Sequence, residues 1–160
     1  MERVGVVGAG LMGSEIALVF ALAGHDVLLA DRGAAEVTAA LERLRAVVKK
    51  GVGRGFYSAA DADAALGRIS SVPVELFHDR EYVTEAVFED VAVKTEVLAN
   101  LDRTCPPDCV IATNTSTIPI SKVRIFEEPI YIGAISFSQI SLKLTLRAHN
   151  FGALTSRRPI

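Results

Sequence analysis

Residues 4–31 read Val-Gly-Val-Val-Gly-Ala-Gly-Leu-Met-Gly-Ser-Glu-Ile-Ala-Leu-Val-Phe-Ala-Leu-Ala-Gly-His-Asp-Val-Leu-Leu-Ala-Asp. A short apolar strand runs into Gly8-Ala9-Gly10-Leu11-Met12-Gly13, an apolar helix follows over 11–23, and a second strand over 27–30 ends on Asp31. This order of strand, glycine turn, helix, strand and acid is the context that gives a Gly-x-Gly-x-x-Gly pattern its meaning. Gly8 permits a tight turn. Gly10 has no side chain to keep a pyrophosphate from the main chain. Gly13 lets the helix pack against the sheet. The helix N-terminus offers free N–H groups and a partial positive charge to phosphates. Asp31 can accept two hydrogen bonds from ribose hydroxyls and would repel a 2′-phosphate, so NAD is expected over NADP. Arg32 pulls the other way, because a guanidinium pairs with a 2′-phosphate. A glycine turn with no ligand is the alternative, and it leaves the placed acid unexplained.

Outward from this stretch, strands and helices alternate. A helix is expected over residues 34–50, where Val37, Leu41, Leu44 and Val48 recur at helical spacing. Its charges, Glu42, Arg43, Arg45, Lys49 and Lys50, read as a solvated face or as a basic patch for a phosphate-bearing substrate. Gly51-Val52-Gly53-Arg54-Gly55 is expected to break it. A short helix from Ser58 to about Gly67, a weak strand over 68–72 and a connector over 74–79 follow. Residues 82–88 suit a central parallel strand buried on both faces. A helix over 91–103 points Val93, Val97, Leu98 and Leu101 inward. A strand over 110–113 ends in the polar turn Asn114-Thr115-Ser116-Thr117. A short helix over 118–126 and a strand over 130–135 complete the alternation. The expected fold is α/β: a Rossmann, doubly wound, mostly parallel sheet. Its ligand edge is the carboxyl ends of the strands. Residues 1–147 are assigned to the domain, with strand-like alternation over 140–147, and 148–160 to an irregular tail.

Half of the 160 residues are hydrophobic, 22% are charged and the net charge is −2. That gives no electrostatic case for nucleic acid or an anionic membrane. No apolar run reaches the roughly 18 residues of a membrane span. The first strand begins almost at Met1, which leaves no room for a leader, so a cytoplasmic location is expected. Cys105 and Cys109 read as reduced thiols near a strand, and no metal-ligand cluster accompanies them. His25 reads as a solvated loop residue.

The chain resembles the NAD-binding domain of the 3-hydroxyacyl-CoA dehydrogenases, including the 3-hydroxybutyryl-CoA type, over about residues 3–134. The likeness rests on Gly-Ala-Gly-Leu-Met-Gly at 8–13, Glu85-Ala-Val-Phe-Glu89 with Lys94, and Ala112-Thr-Asn-Thr-Ser-Thr-Ile-Pro-Ile at 112–120. It implies oxidation of a 3-hydroxyacyl-CoA to the 3-oxo ester with hydride passing to NAD. It implies that Gly8, Ala9, Gly10, Leu11, Met12, Gly13 and Asp31 hold the adenosine and pyrophosphate, with Glu89 and Lys94 on the nicotinamide side. It also implies that Ser116 contacts substrate oxygen and cofactor as the catalytic residue, beside Asn114, and that Lys50 contacts the acyl-CoA.

The chain also departs from that family. After Gly133-Ala134 the family carries the histidine base, where this chain has Ile135-Ser136-Phe137-Ser138-Gln139. The glutamate that orients the base falls on Arg147 or Leu146, and the family's helical second domain is not in these 160 residues. If the Ala134 codon ends in C, synonymous codons for residues 135–139 can read one base earlier as His-Phe-Phe-Leu-Pro, an expectation the coding DNA checks. Alone, the chain is expected to bind NAD(H) with little or no turnover, and through exposed apolar surface either to self-associate as a homo-oligomer or to be poorly soluble. A non-catalytic NAD(H)-binding module and a dehydrogenase of another small hydroxy acid are the competing readings.

Overall fold

A computed structural model describes residues 1–115 and 118–119. Five strands form one parallel sheet in the order β3-β2-β1-β4-β5. They are β1 (Arg3–Val7), β2 (Asp26–Ala30), β3 (Ile69–Ser71), β4 (Tyr82–Glu85) and β5 (Val110–Thr113). The helices are α1 (Leu11–Leu22), α2 (Ala34–Gly53), α3 (Ala59–Gly67) and α4 (Val91–Thr104). The strand order reverses between β1, paired with β2, and its other neighbour β4. The carboxyl ends of β1 and β4 therefore border the crevice where such sheets take ligands.

Strand alternation divides the core into two layers. Val4, Val6, Val27 and Leu29 face α1, α2 and α3, packing with Ile16, Phe20, Val37, Leu44 and Ala65. Val7, Ala30, Val83 and Ile111 face the opposite side with Phe77, Leu98 and Leu101. Helix α1 is buried over most of residues 13–21, as the apolar run over 16–22 requires.

Among the described residues the expected strands and helices are present, with four differences. First, α2 continues through Gly51 to Gly53 instead of stopping at Lys50. Gly51 is buried, and the Tyr57 ring occupies the space a Cβ there would need. Packing outweighs the roughly 1 kcal/mol that a mid-helix glycine costs. Second, β4 ends at Glu85, not at residue 88, and Phe88 is 80% exposed. The Glu85 carboxylate accepts a hydrogen bond from the Val87 N–H at 2.7 Å and turns the chain. Third, Val93 is 40% exposed while Lys94 takes the inward position of α4 with Leu98 and Leu101. Fourth, His25 is not solvated. Its Nδ1 accepts from the Glu2 N–H at 3.2 Å and its ring lies edge-on to Phe20.

Among the described residues Cys105 and Cys109 are buried and form no disulfide, and no helix is long and apolar enough to cross a membrane. Expectations for residues 120–160 lie outside the described residues. These are most of the helix over 118–126, the strand over 130–135, the alternation over 140–147, the tail, and the positions Ile135, Leu146 and Arg147.

Candidate functional site: the carboxyl edge of β1, β4 and β5

The glycine turn takes its shape from contacts that only glycine allows. Gly8 has φ +101°, and a Cβ there would lie 2.5 Å from the Ala86 carbonyl oxygen. A Cβ on Gly13 would overlap the Gly8 carbonyl oxygen and lie 3.0 Å from its carbon. Gly8 and Gly13 thus lock β1, α1 and the turn after β4 into contact. Gly10 differs. Its φ of −63° and ψ of −171° suit any residue, and a Cβ there would meet nothing within 4 Å. What glycine preserves at this position is open space above the turn. Gly10 is the N-cap of α1 and no side chain caps the helix. The first-turn N–H groups of Leu11, Met12 and Gly13, which have no partner inside a helix, remain available to an anion. Both Leu11 and Met12 are exposed.

Two side chains hold the Ala9 backbone. Asp31 Oδ2 accepts from the Ala9 N–H at 2.5 Å, and its Oδ1 accepts from the Arg32 N–H at 2.7 Å. Arg43 Nη2, reaching over from α2, donates to the Ala9 carbonyl at 2.7 Å. Each carboxylate oxygen has a second lone pair, so Asp31 keeps capacity for ribose hydroxyls. The Arg32 guanidinium is almost fully exposed, 4.0 Å from Asp31 Oδ1. Reading the charges of α2 as a face did not single out Arg43. The available signal was its position one residue before the buried Leu44, on the edge of the stripe facing α1. Lys50 is exposed, seven residues on. That is about 10 Å further along the helix, so the structure does not bring it to the glycine turn.

The second half of the edge is a polar network beneath the turns after β4 and β5. Glu85 and Lys94 are fully buried. Lys94 Nζ lies 2.9 and 3.2 Å from the two Glu85 carboxylate oxygens and donates to the Val87 carbonyl at 3.3 Å. It also lies 3.3 Å from Glu89 Oε2. The Thr113 hydroxyl donates to Glu85 Oε2 at 2.5 Å, and the Thr115 hydroxyl bonds to Glu89 Oε1. Glu89 is partly exposed at the edge. Lys94 is not, so its charge reaches the edge only through Glu89. Its ammonium is held by two carboxylates and shielded from solvent. Asn114 is half-buried, and its N–H donates to the Glu85 carbonyl at 2.7 Å. Ser116 lies outside the described residues. Among the described residues no group of His, Cys, Asp and Glu side chains has the geometry of a metal site.

The edge thus offers an uncapped helix N-terminus, open space over Gly10, an acid beside the turn and a fixed carboxylate across the crevice. These fit a dinucleotide. The sequence family described as "3-hydroxyacyl-CoA dehydrogenase, NAD binding domain" matches residues 3–128. A 3-hydroxybutyryl-CoA dehydrogenase of Mycobacterium tuberculosis is 45% identical over 125 residues, covering 77% of this chain and 44% of the relative. The glyoxysomal fatty acid beta-oxidation multifunctional protein MFP-a of Cucumis sativus is 35% identical over 141 residues, covering 86% of this chain and 19% of the relative. The crystal structure of (S)-3-hydroxybutyryl-CoA dehydrogenase from Ralstonia eutropha is 30% identical and superimposes with a TM-score of 0.74, covering 77% of this chain and 44% of that one. The chain spans less than half the length of these relatives. The order of strands, the glycine turn and the sequence match agree: this chain belongs to the 3-hydroxyacyl-CoA dehydrogenase family and carries its NAD-binding domain.

Proposed function

We propose that the chain is the cofactor-binding part of an enzyme that oxidises a 3-hydroxyacyl-CoA to the 3-oxoacyl-CoA in fatty-acid metabolism. The observation that carries this reading is the open position at Gly10 between an uncapped helix N-terminus and Asp31. When bound, NAD supplies the hydride acceptor. The N–H groups of Leu11, Met12 and Gly13 hold the pyrophosphate. Asp31 holds the adenosine ribose and disfavours a 2′-phosphate. Glu89, backed by Lys94, faces the nicotinamide end. Asn114 and Ser116 hold the substrate oxygen, and Lys50 contributes positive charge for a CoA phosphate.

Titration with NADH and NADPH tests the reading. NADH should bind, with NADPH weaker by about tenfold or more, since a carboxylate facing a phosphate costs at least about 1.4 kcal/mol. Binding of neither would overturn the reading. Acetoacetyl-CoA turnover by this chain should be slight, because isoleucine at position 135 cannot take a proton. Substantial turnover would mean that another residue is the base. The isoleucine also favours a second reading, a non-catalytic NAD(H)-binding module. NADH binding with no affinity for any CoA ester would select it.

A further inference from the structure

Glu85 is fully buried and has no part in the reading above. We propose that it is a positioning residue for the nicotinamide end of the cofactor, acting through Lys94 on Glu89 and through Thr113 on the turn after β5. The inference rests on the NAD-binding reading.

A buried carboxylate is costly unless its lone pairs are filled. Those of Glu85 are filled from three separate elements: the Val87 N–H at 2.7 Å, the Thr113 hydroxyl at 2.5 Å, and Lys94 Nζ at 2.9 and 3.2 Å. Joining β4 to α4 would need only the last of these. The further partners carry the arrangement outward. Lys94 Nζ is shared with Glu89 Oε2 at 3.3 Å, and the other Glu89 oxygen bonds to Thr115, two residues beyond Thr113. The Glu89 carboxylate is therefore held at both oxygens by groups that Glu85 anchors from below. With the Glu85 charge removed, Lys94 is left with Glu89 as its carboxylate partner. That attraction draws Glu89 inward, away from the crevice. The glycine turn and Asp31 belong to a different set of hydrogen bonds and keep their places.

The test compares NADH, which spans both halves of the edge, with ADP, which has only the adenosine and pyrophosphate. It is run on the full chain with Glu85→Gln and Thr113→Val, and thermal melting is recorded for each. Glu85→Gln should raise the NADH dissociation constant about tenfold, the worth of a charge-assisted hydrogen bond, while ADP binding changes by less than about twofold. Thr113→Val should shift NADH in the same direction by a smaller factor. A purely structural role would weaken both ligands together in step with the melting temperature, or leave both unchanged, and either result overturns the proposal. If Glu85→Gln does not fold, the Thr113→Val comparison decides on the same split. A wild-type chain that binds neither ligand would refute the NAD reading itself, a result distinct from a variant that binds both as the wild type does.

Discussion

Gly10→Ala and Gly13→Ala add the same methyl group three residues apart, and the structure assigns them opposite consequences. At Gly10 the new Cβ meets nothing within 4 Å and the backbone is already in a region open to alanine. Two small effects on stability oppose each other there. Alanine restricts the unfolded chain, worth about 0.4–1 kcal/mol in favour of folding. Alanine is a poorer N-cap than glycine, which costs a comparable amount, about 0.5–1 kcal/mol. The net change in stability should fall within about 1 kcal/mol. The methyl group instead occupies space left for the cofactor. Crowding by one methyl costs about 1–3 kcal/mol, so NADH affinity should fall about 5- to 150-fold. At Gly13 the methyl runs into the Gly8 carbonyl, and backbone cannot rotate aside as a side chain can. That substitution should cost about 3 kcal/mol or more, a drop of roughly 6–12 °C in melting temperature for a chain of this size. Urea denaturation and NADH fluorescence titration on the two variants check both halves. Should Gly10→Ala bind NADH as the wild type does, the cofactor does not cross the turn at Gly10. Should it instead unfold as readily as Gly13→Ala, the distinction between open and closed glycines is wrong.

Three other outcomes are expected. Asp31→Asn removes the charge that opposes a 2′-phosphate beside an exposed Arg32, so the NADH-to-NADPH affinity ratio should fall by about tenfold; an unchanged ratio in paired titrations would assign the preference elsewhere. Lys94→Met leaves Glu85 buried without a cation, and the loss should be about 3–5 kcal/mol. Adding Glu85→Gln to Lys94→Met should recover a large part of that loss, as read by urea midpoints. Burial holds the His25 imidazole below its ordinary pKa, with the N-terminal charge adding to this and Glu2 opposing it. The folded state therefore binds its proton later than the unfolded one. The contribution is present above about pH 6.5 and shrinks as pH falls below that value. His25→Phe should flatten the melting temperature between pH 7.5 and 5.5, and an unchanged slope would refute the assignment.

Much of this was legible in residues 4–31, because Gly8 and Gly13 answer to close backbone contacts, Gly10 leaves space open above the turn, and the acid closes the unit. The network at Glu85 was harder to read. Apolar spacing put Val93 inward, yet the stripe that packs is Lys94, Leu98 and Leu101. Hydropathy treats a lysine as an outward residue. It has no means of recognising a cation whose carboxylate partner is buried on the neighbouring strand. The usable signal was a pair of opposite charges, Glu85 and Lys94, each interrupting an otherwise apolar face. The extension of α2 failed for a similar reason. Glycine propensity is local, whereas the Tyr57 ring that fills the space beside Gly51 comes from the loop beyond.

Arg43 and Asp31 grip the Ala9 backbone from opposite sides, one at its carbonyl and the other at its N–H. The turn is thereby set before any dinucleotide arrives. Fixing a backbone residue costs about 1–2 kcal/mol of conformational entropy, and here folding bears that cost instead of association. Capture of the cofactor should then be limited by diffusion and orientation, with no slow ordering step at the turn. Differences in affinity among variants that leave this grip intact should be seen in how fast the cofactor departs.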